Sequence, residues 1–289
     1  MTCPYCQSLF LTKRGKRNNK QKYQCKSCKK WFSSPIDEII EINKDITPGN
    51  IFKYKTSKNT LRIHCGTDIH HGANEHHYEK FDEFIETIYK DDNSVWFLNG
   101  DNIELIPPKY KISQRGQYME PDDQHFTFLE RVKKIQDKLL FIRGGNHDYI
   151  RSENILGFDV SKALARGLNV PYYKMPGYSE ISVNGKKWYL VSGHGKGGGK
   201  NGDLELDKMA QVYSDGDVFI LGHNHQLYAK PVDSLMVDNN EERMRRKWYC
   251  RGGSFLKYAE YARYSFFPMI RTGWITMEFT KDNIKCWVN

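Results

Sequence analysis

The stretch RGGNHDYI, Arg143 to Ile150, follows directly on the apolar run Leu139–Ile142. A strand therefore ends where an amide, an imidazole and a carboxylate arrive in succession. Taken alone, Gly144-Gly145-Asn146 is ordinary turn chemistry, because glycine accepts positive φ and Asn or Asp bonds its own backbone. Repetition is what lifts it above a turn. Four further apolar runs end in groups able to bind metal or move protons: LRIHCGTDIHHG (Leu61–Gly72), SVWFLNGDN (Ser94–Asn102), WYLVSGHG (Trp188–Gly195) and DVFILGHNH (Asp217–His225). Helix-periodic segments lie between them, with Phe81, Phe84, Ile85 and Ile88 in His76–Tyr89, and Phe128, Leu129 and Val132 in Gln124–Ile135. Strands alternating with helices imply a layered α/β sheet. In such sheets function gathers beyond the carboxyl ends of the strands, where five polar motifs can converge.

The five motifs, D-x-H, G-D, G-N-H-D, G-H and G-H-x-H, resemble in content and order those of the calcineurin-like metallophosphoesterase superfamily over Leu61 to His225. That resemblance implies a four-layer α/β/β/α sandwich with two adjacent metal ions. Asp68, His70 and His225 would hold one ion, Asn146, His194 and His223 the other, and Asp101 would bridge both. His147 would stand outside the pair as proton donor or phosphate-orienting group, and Asp148 would orient His147 or its loop. Two cations about 4 Å apart clamp a phosphate and lower the pKa of a shared water at neutral pH. Two carboxylates against two divalent ions leave the site net positive, so it attracts phosphate without a dedicated arginine. Nitrogen and oxygen ligands without thiolate fit Mn²⁺, Fe or Zn²⁺, with Mn²⁺ placed first.

The N-terminal segment has a different composition. The chain has 289 residues and a net charge of +9, with 44 Lys and Arg against 35 Asp and Glu. Nine of the cations fall between Met1 and Ser34 (Lys13, Arg14, Lys16, Arg17, Lys20, Lys22, Lys26, Lys29 and Lys30), where there is no acidic residue. The whole excess therefore sits at one end, which points to a polyanionic partner or to a solvated basic tail. CPYC places Cys3 and Cys6 two apart and CKSC does the same for Cys25 and Cys28. Two such knuckles present four thiolates to one tetrahedral Zn²⁺, which staples a segment with too little apolar sequence to fold alone. Disulfides are the competing reading. Tyr5, Phe10, Tyr23, Trp31 and Phe32 interleave with the cations, and QKYQCKSCKKWF (Gln21–Phe32) resembles the zinc ribbons of insertion-sequence transposases. The ribbon, residues 1–34, is expected to bind nucleic acid, DNA first, through Lys13, Arg14, Lys16, Arg17 and Lys22; docking on protein is the other reading.

Residues 35–59, punctuated by Pro35, Pro48 and Gly49 around IDEIIEI, read as a linker. Residues 60–289 would be the domain that resembles the metallophosphoesterases. His71, His76 and His77 are assigned supporting or surface positions, and His64 is expected to face out of its strand. GHGKGGGKNG (Gly193–Gly202) lacks the Walker spacing and reads as a flexible loop in which Lys196 touches phosphate. Cys65, Cys250 and Cys286 read as buried thiols. The Tyr- and Arg-rich stretch from Cys250 to Phe267 reads as sheet extension and groove lining, or as core. No apolar run approaches the roughly 18 residues of a membrane span. With the polar, Cys-containing start of the sequence, the expectation is a soluble cytoplasmic protein in a reducing compartment.

Together these features point to a nuclease or DNA-processing phosphodiesterase. DIHHG, with Gly72 two residues after His70, is also similar to the D-x-H-x-G of double-strand-break repair nucleases, although the capping domain usual there has no counterpart. The alternatives are a phosphomonoesterase or cyclic-nucleotide phosphodiesterase acting on small molecules or phosphoproteins, and an inactive DNA-binding module.

Overall fold

The computed structural model describes the whole chain except residues 1–2, 7, 18–19, 36–50, 109–113, 197–201, 239, 259–263, 265, 267–268 and 270. It divides into two compact units, Met1–Glu41 and Ile42–Asn289. In the first, β1 (Leu11–Arg17), β2 (Lys20–Cys25) and β3 (Trp31–Pro35) form an antiparallel sheet in that order. Its apolar content is slight: Tyr23 stacks on Phe32 with ring centroids 5.5 Å apart, and Cys3 and Cys25 are buried.

The second unit runs β4 (Phe52–Thr56), β5 (Thr60–Gly66), α1 (Tyr78–Lys90), β6 (Ser94–Asn99), α2 (Pro121–Val132), β7 (Leu139–Arg143), a π-helical turn (Asn146–Arg151), α3 (Ser152–Leu156) and α4 (Val160–Leu168). It continues through β8 (Tyr172–Tyr173), β9 (Gly177–Val183), β10 (Lys186–Gly193), α5 (Gly202–Val212), β11 (Val218–Leu221), β12 (Leu227–Asp238), β13 (Glu241–Gly252), β14 (Ile275–Thr280) and β15 (Ile284–Val288). The strands form two six-stranded mixed sheets, β15-β14-β5-β6-β7-β8 and β12-β13-β11-β10-β9-β4. Strands β5 to β8 run parallel, as do β10, β11 and β13.

Strand β6, SVWFLN, shows why the layers stack. All six residues are buried, as expected of a parallel strand covered on both faces. Trp96 and Leu98 join the cluster built from α1, α2 and α4, and the Trp96 ring meets Phe84 edge-on. Phe97 points the other way, onto Phe141 at 4.9 Å, and Phe141 meets Phe52 of the opposite sheet at 4.8 Å. Such ring pairs contribute about 0.5–1.5 kcal/mol each beyond the area they bury. On the far side, Leu206 and Met209 of α5 cover Phe219 and Tyr249. The result is helix, sheet, sheet, helix.

Two expectations are corrected here. The linker read over 35–59 includes strand β4, which pairs in parallel with β9 and buries Phe52 against Phe141. Its alternating FKYKT pattern, with Phe52 and Tyr54 turned inward, is a strand signal that the surrounding Pro and Gly obscured. IDEIIEI lies outside the described residues. His64 does not face solvent: it is buried, with Nε2 2.8 Å from Ser94 Oγ and Nδ1 accepting from Trp274 Nε1 and Thr276 Oγ1. Burial pushes its pKa down to about 4. Among the described residues no helix is long and apolar enough to cross a membrane.

Candidate metal centre

The five motifs sit at the carboxyl ends of β5, β6, β7, β10 and β11. Each chain segment leaves its strand by a sharp turn, and the turns are strained. Of the seven expected ligands, five carry positive φ: Asp68 +49°, His70 +49°, Asp101 +52°, His223 +70° and His225 +58°. Asp and His tolerate this region better than most residues, yet each instance costs on the order of 1–3 kcal/mol and clusters of this kind mark functional sites. The glycines make room for the turns. A Cβ on Gly145 would lie 2.2 Å from Asp101 N, and one on Gly222 would lie 2.5 Å from Asp68 Oδ2.

The donor atoms converge in two groups. Asp68, His70 and His225 form one, and Asp101, His194 and His223 form the other, with the donor atoms of each group within 4.8 Å of one another. Asn146 Oδ1 joins the second group, 3.0 Å from His194 Nε2 and 2.7 Å from His223 Nδ1. Asp68 Oδ1 lies 3.3 Å from His225 Nε2 and 3.9 Å from His194 Nε2, while Asp101 Oδ2 lies 3.0 Å from His194 Nε2. Asp68 Oδ1 thus joins the two groups, and the seven residues form one cluster.

Ring tautomers are set from behind. His194 Nδ1 donates to the Asn99 carbonyl at 2.9 Å, which leaves Nε2 as the donor atom. His70 Nδ1 lies 2.6 Å from Glu104 Oε2, and its buried Nε2 has no hydrogen-bond partner among the described residues. Asp68 is braced by the Thr67 hydroxyl at 2.7 Å and by the His223 backbone N–H at 2.9 Å. Burial works against charge throughout, but here the neighbouring charges win. His194 and His225 hold the Asp68 carboxyl down to about 2, and Asp101 lies well below its ordinary value beside His194 and His147. The same carboxylates push His194 up to about 10. Two carboxylates around imidazoles suit cations, and the orphaned His70 nitrogen fits a metal ligand.

His147 lies just outside the cluster, with Nε2 3.9 Å from Asp101 Oδ2 and its backbone N–H donating to Asp101 Oδ1. Burial lowers its pKa to about 4. Asp148 does not orient the His147 ring. Its buried carboxylate accepts from the backbone N–H groups of Asp101, Asn102 and Gly145, so it ties the β6 turn to the β7 turn. Glu104 and Arg151 belong to the site although no motif marked them. Arg151 Nη2 lies 2.8 Å from His147 Nε2. Its spacing, four residues after His147, was the one signal in the sequence.

The remaining assignments scatter. Lys196 has an exposed side chain and donates its backbone N–H to Glu205, while Lys200 lies outside the described residues. His71 and His76 are buried, bonded to Thr127 Oγ1 and the Ile69 carbonyl, and only His77 is partly exposed, accepting from Lys80 N at the start of α1. Cys65, Cys250 and Cys286 are buried free thiols, and Phe255 packs on Phe81 and Phe84 as core.

In the first unit the four thiols of Cys3, Cys6, Cys25 and Cys28 come together, with Cys3–Cys28 and Cys6–Cys25 Sγ pairs at 3.6 Å and no disulfide. A Zn²⁺ at about 2.3 Å from each sulfur would span edges of about 3.8 Å, so the cage fits that ion. Lys13 and Arg14 are exposed and Lys22 is half-buried; the side chains of Lys16 and Arg17 lie outside the described residues.

Facing sheets, helices on both outer faces and five ligand-bearing strand ends settle the architecture. The fold is a four-layer α/β/β/α sandwich. No protein-family profile and no curated relative matches the sequence. Among solved structures, the chain is similar to a conserved uncharacterized protein and predicted phosphoesterase from Streptococcus pneumoniae (13% identity, 80% of this chain and 98% of that one, TM-score 0.37). It is also similar to Vacuolar Protein Sorting 29 from Cryptosporidium parvum (12%, 80% and 98%, TM-score 0.43) and to a hypothetical protein from Pyrococcus horikoshii (9%, 79% and 87%, TM-score 0.44). The candidate donor residues lie on turns after strands of both sheets, β5, β6 and β7 in one and β10 and β11 in the other.

Proposed function

We propose that this chain is a metal-dependent phosphoesterase, and within that class a nuclease or DNA-processing phosphodiesterase. The observation that carries the first step is the convergence of Asp68, His70, Asp101, Asn146, His194, His223 and His225 on one pocket. Bound there, two divalent cations supply electrophilic stabilisation of a phosphate and an acidified water. The chain's own residues do the rest. Asn99 and Glu104 fix the rings of His194 and His70, Thr67 and the His223 backbone hold Asp68, and Asp148 joins the two turns that carry Asp101 and Asn146. Asp101, 3.0 Å from His194, is the shared ligand in this reading.

The second step rests on the ribbon. Nine cations without an acidic residue, with Tyr5, Phe10 and Trp31 exposed among them, suit the sugar-phosphate backbone and unstacked bases. The experiment is Mn²⁺-dependent cleavage of labelled single- and double-stranded DNA, run beside bis-p-nitrophenyl phosphate and p-nitrophenyl phosphate. Cleavage of DNA and of the diester supports the reading. Hydrolysis of the monoester alone would replace it with a phosphomonoesterase, and inertness toward all substrates with an intact metal load would leave a binding module.

A further inference from the structure

We propose that the hairpin β12–β13 is a dimerisation arm, whose open edge pairs with the same strand of a second copy of this chain. The proposal stands apart from the metal centre and uses none of its residues.

Strands β12 and β13 keep an unbroken antiparallel register from Leu227↔Gly252 to Asp238↔Glu241. Only the inner half is covered. On one face Tyr228 and Val232 pack against the cluster under α5, and on the other Trp248, opposite Pro231, donates its indole N–H to the Ile284 carbonyl of β15. Farther out both faces open. Asp233 to Val237 and Glu241 to Met244 are all exposed, with Leu235 at 73%, Val237 at 74% and Met244 at 69%. A two-stranded ribbon with both faces in water is marginally stable, and large apolar side chains grouped at its tip mark an interaction site.

Charge argues against a polyanion as the occupant. From Val232 to Lys247 the four cations Arg243, Arg245, Arg246 and Lys247 stand against the four anions Asp233, Asp238, Glu241 and Glu242. Arg243 pairs with Asp238 at 3.0 Å, Arg245 with Asp217 at 3.2 Å and Arg246 with Asp233 at 2.8 Å. What the arm offers instead is backbone. β12 is the edge of its sheet, with no strand on its outer side among the described residues. Pro231 has no N–H, so it fits where that group would face away from β13; by alternation the N–H and C=O groups of Asp233, Leu235 and Val237 face the open edge as well. Such a row of donors and acceptors is completed by another strand. Lys230, Pro231 and Asp233 blunt the inner part of the edge, as edge strands require, but Leu235–Val237 carries no such protection.

The segment is complementary to itself. SLMVD, Ser234 to Asp238, reads polar, apolar, apolar, apolar, polar in either direction. Laid antiparallel on a second copy about Met236, it sets Leu235 against Val237 twice, Met236 against Met236, and Ser234 against Asp238 twice. The Leu235 and Val237 pairs then exchange four backbone hydrogen bonds across a two-fold axis. The same pairing withdraws their side chains from water together with Met244, which stands opposite Leu235 on β13.

The test uses the full chain loaded with zinc and manganese. In sedimentation equilibrium the parent's mass should rise toward twice the monomer with concentration. The double variant Leu235→Lys/Val237→Lys puts four like charges around the axis, and should raise the dissociation constant about 10²-fold or more while metal content and melting temperature stay parental. Met236→Cys tests the register. It places two thiols on the axis in a non-hydrogen-bonded pair with Cα atoms about 4.5 Å apart, inside the disulfide range of roughly 4.4–6.8 Å. With oxidised glutathione this variant should form a covalent dimer, whereas Ser234→Cys, whose two copies would lie roughly 14 Å apart, should not. A parent that stays monomeric at submillimolar concentration would overturn the proposal, and so would a dimer untouched by the double lysine variant or one that cross-links as readily through Ser234→Cys. A monomeric parent whose affinity for labelled DNA drops in Arg243→Ala would overturn it too, by assigning the arm to nucleic acid.

Discussion

Glu104 Oε2 lies 2.6 Å from Nδ1 of His70, and Nε2 of the same ring is buried without a hydrogen-bond partner among the described residues. The carboxylate holds a proton on the rear nitrogen and so presents the front one as a lone pair. Carboxylate-backed imidazoles are better metal ligands, and loss of the backing group typically weakens metal binding about 10- to 100-fold. Glu104→Ala should show a loss of that size in a Mn²⁺ titration. Glu104→Gln, which keeps an acceptor oxygen, should lose less. Equal affinity in Glu104→Ala and the parent would show that His70 needs no such support.

Proton competition should be visible in the metal-free chain. Asp101 and Asp68 raise His194 to about 10 against the cost of burial. A folded-state value above the unfolded one stabilises fully below about 6.5 and is lost as pH rises through about 10. The melting temperature of the metal-free chain should therefore fall between pH 7 and pH 10, while the loaded chain, whose cations replace that proton, should hold steady over the same window. Metal affinity should rise with pH as the proton is released. Parallel melting curves for the two forms would remove His194 from the metal centre.

Asp101 Oδ2 is 3.0 Å from His194 Nε2 in the second ligand group, and behind Glu104 its charge helps to raise the pKa of His70 in the first, against the cost of burial. Asp101→Ala should abolish turnover and lower the metal content at both positions, measured by elemental analysis. A content still equal to the parent's would rule out a shared ligand.

The convergence of the seven side chains was legible because each follows a short apolar run, and the chemistry of a strand end survives in the sequence as adjacency. Glu104 and Arg151 were not legible in the same way. Glu104 reaches His70 across 34 positions, and Arg151 meets Glu104 across 47, so both depend on how the β6 and β7 turns close. Strand β4 was missed for a related reason: among the described residues FKYKT pairs only with β9, more than a hundred residues away, and its isolated pattern is shorter than the Pro- and Gly-punctuated stretch before it. His64 misled because an alternating strand reading assigns it to solvent, whereas β5, between parallel β6 and antiparallel β14, is buried on both faces from Ile63 onward.

His147 and Arg151 share one hydrogen bond, so their substitutions should not add. His147→Ala should keep its metals and lose about 10²-fold or more in rate. The double variant with Arg151→Ala should be little worse than either single one, because residues acting as a unit give strongly non-additive effects. Additive losses in kcat/KM would mean that the two act separately.

The ribbon can be tested without reference to catalysis. Cys25 is primed as a thiolate: backbone N–H groups of Cys28 and Ser27 help hold it down to about 6. Cys25→Ser should release the zinc and unfold a unit with little other core. For the full chain, log affinity for DNA should fall linearly with log salt, with about 0.9 of slope for each phosphate neutralised. Contacts from Lys13, Arg14, Lys16, Arg17 and Lys22 would give a slope of several, and zinc chelation should flatten it. A flat response in the zinc-loaded chain would mean that the ribbon's cations meet a protein surface, and that cleavage of DNA, if seen, proceeds through the metal centre alone.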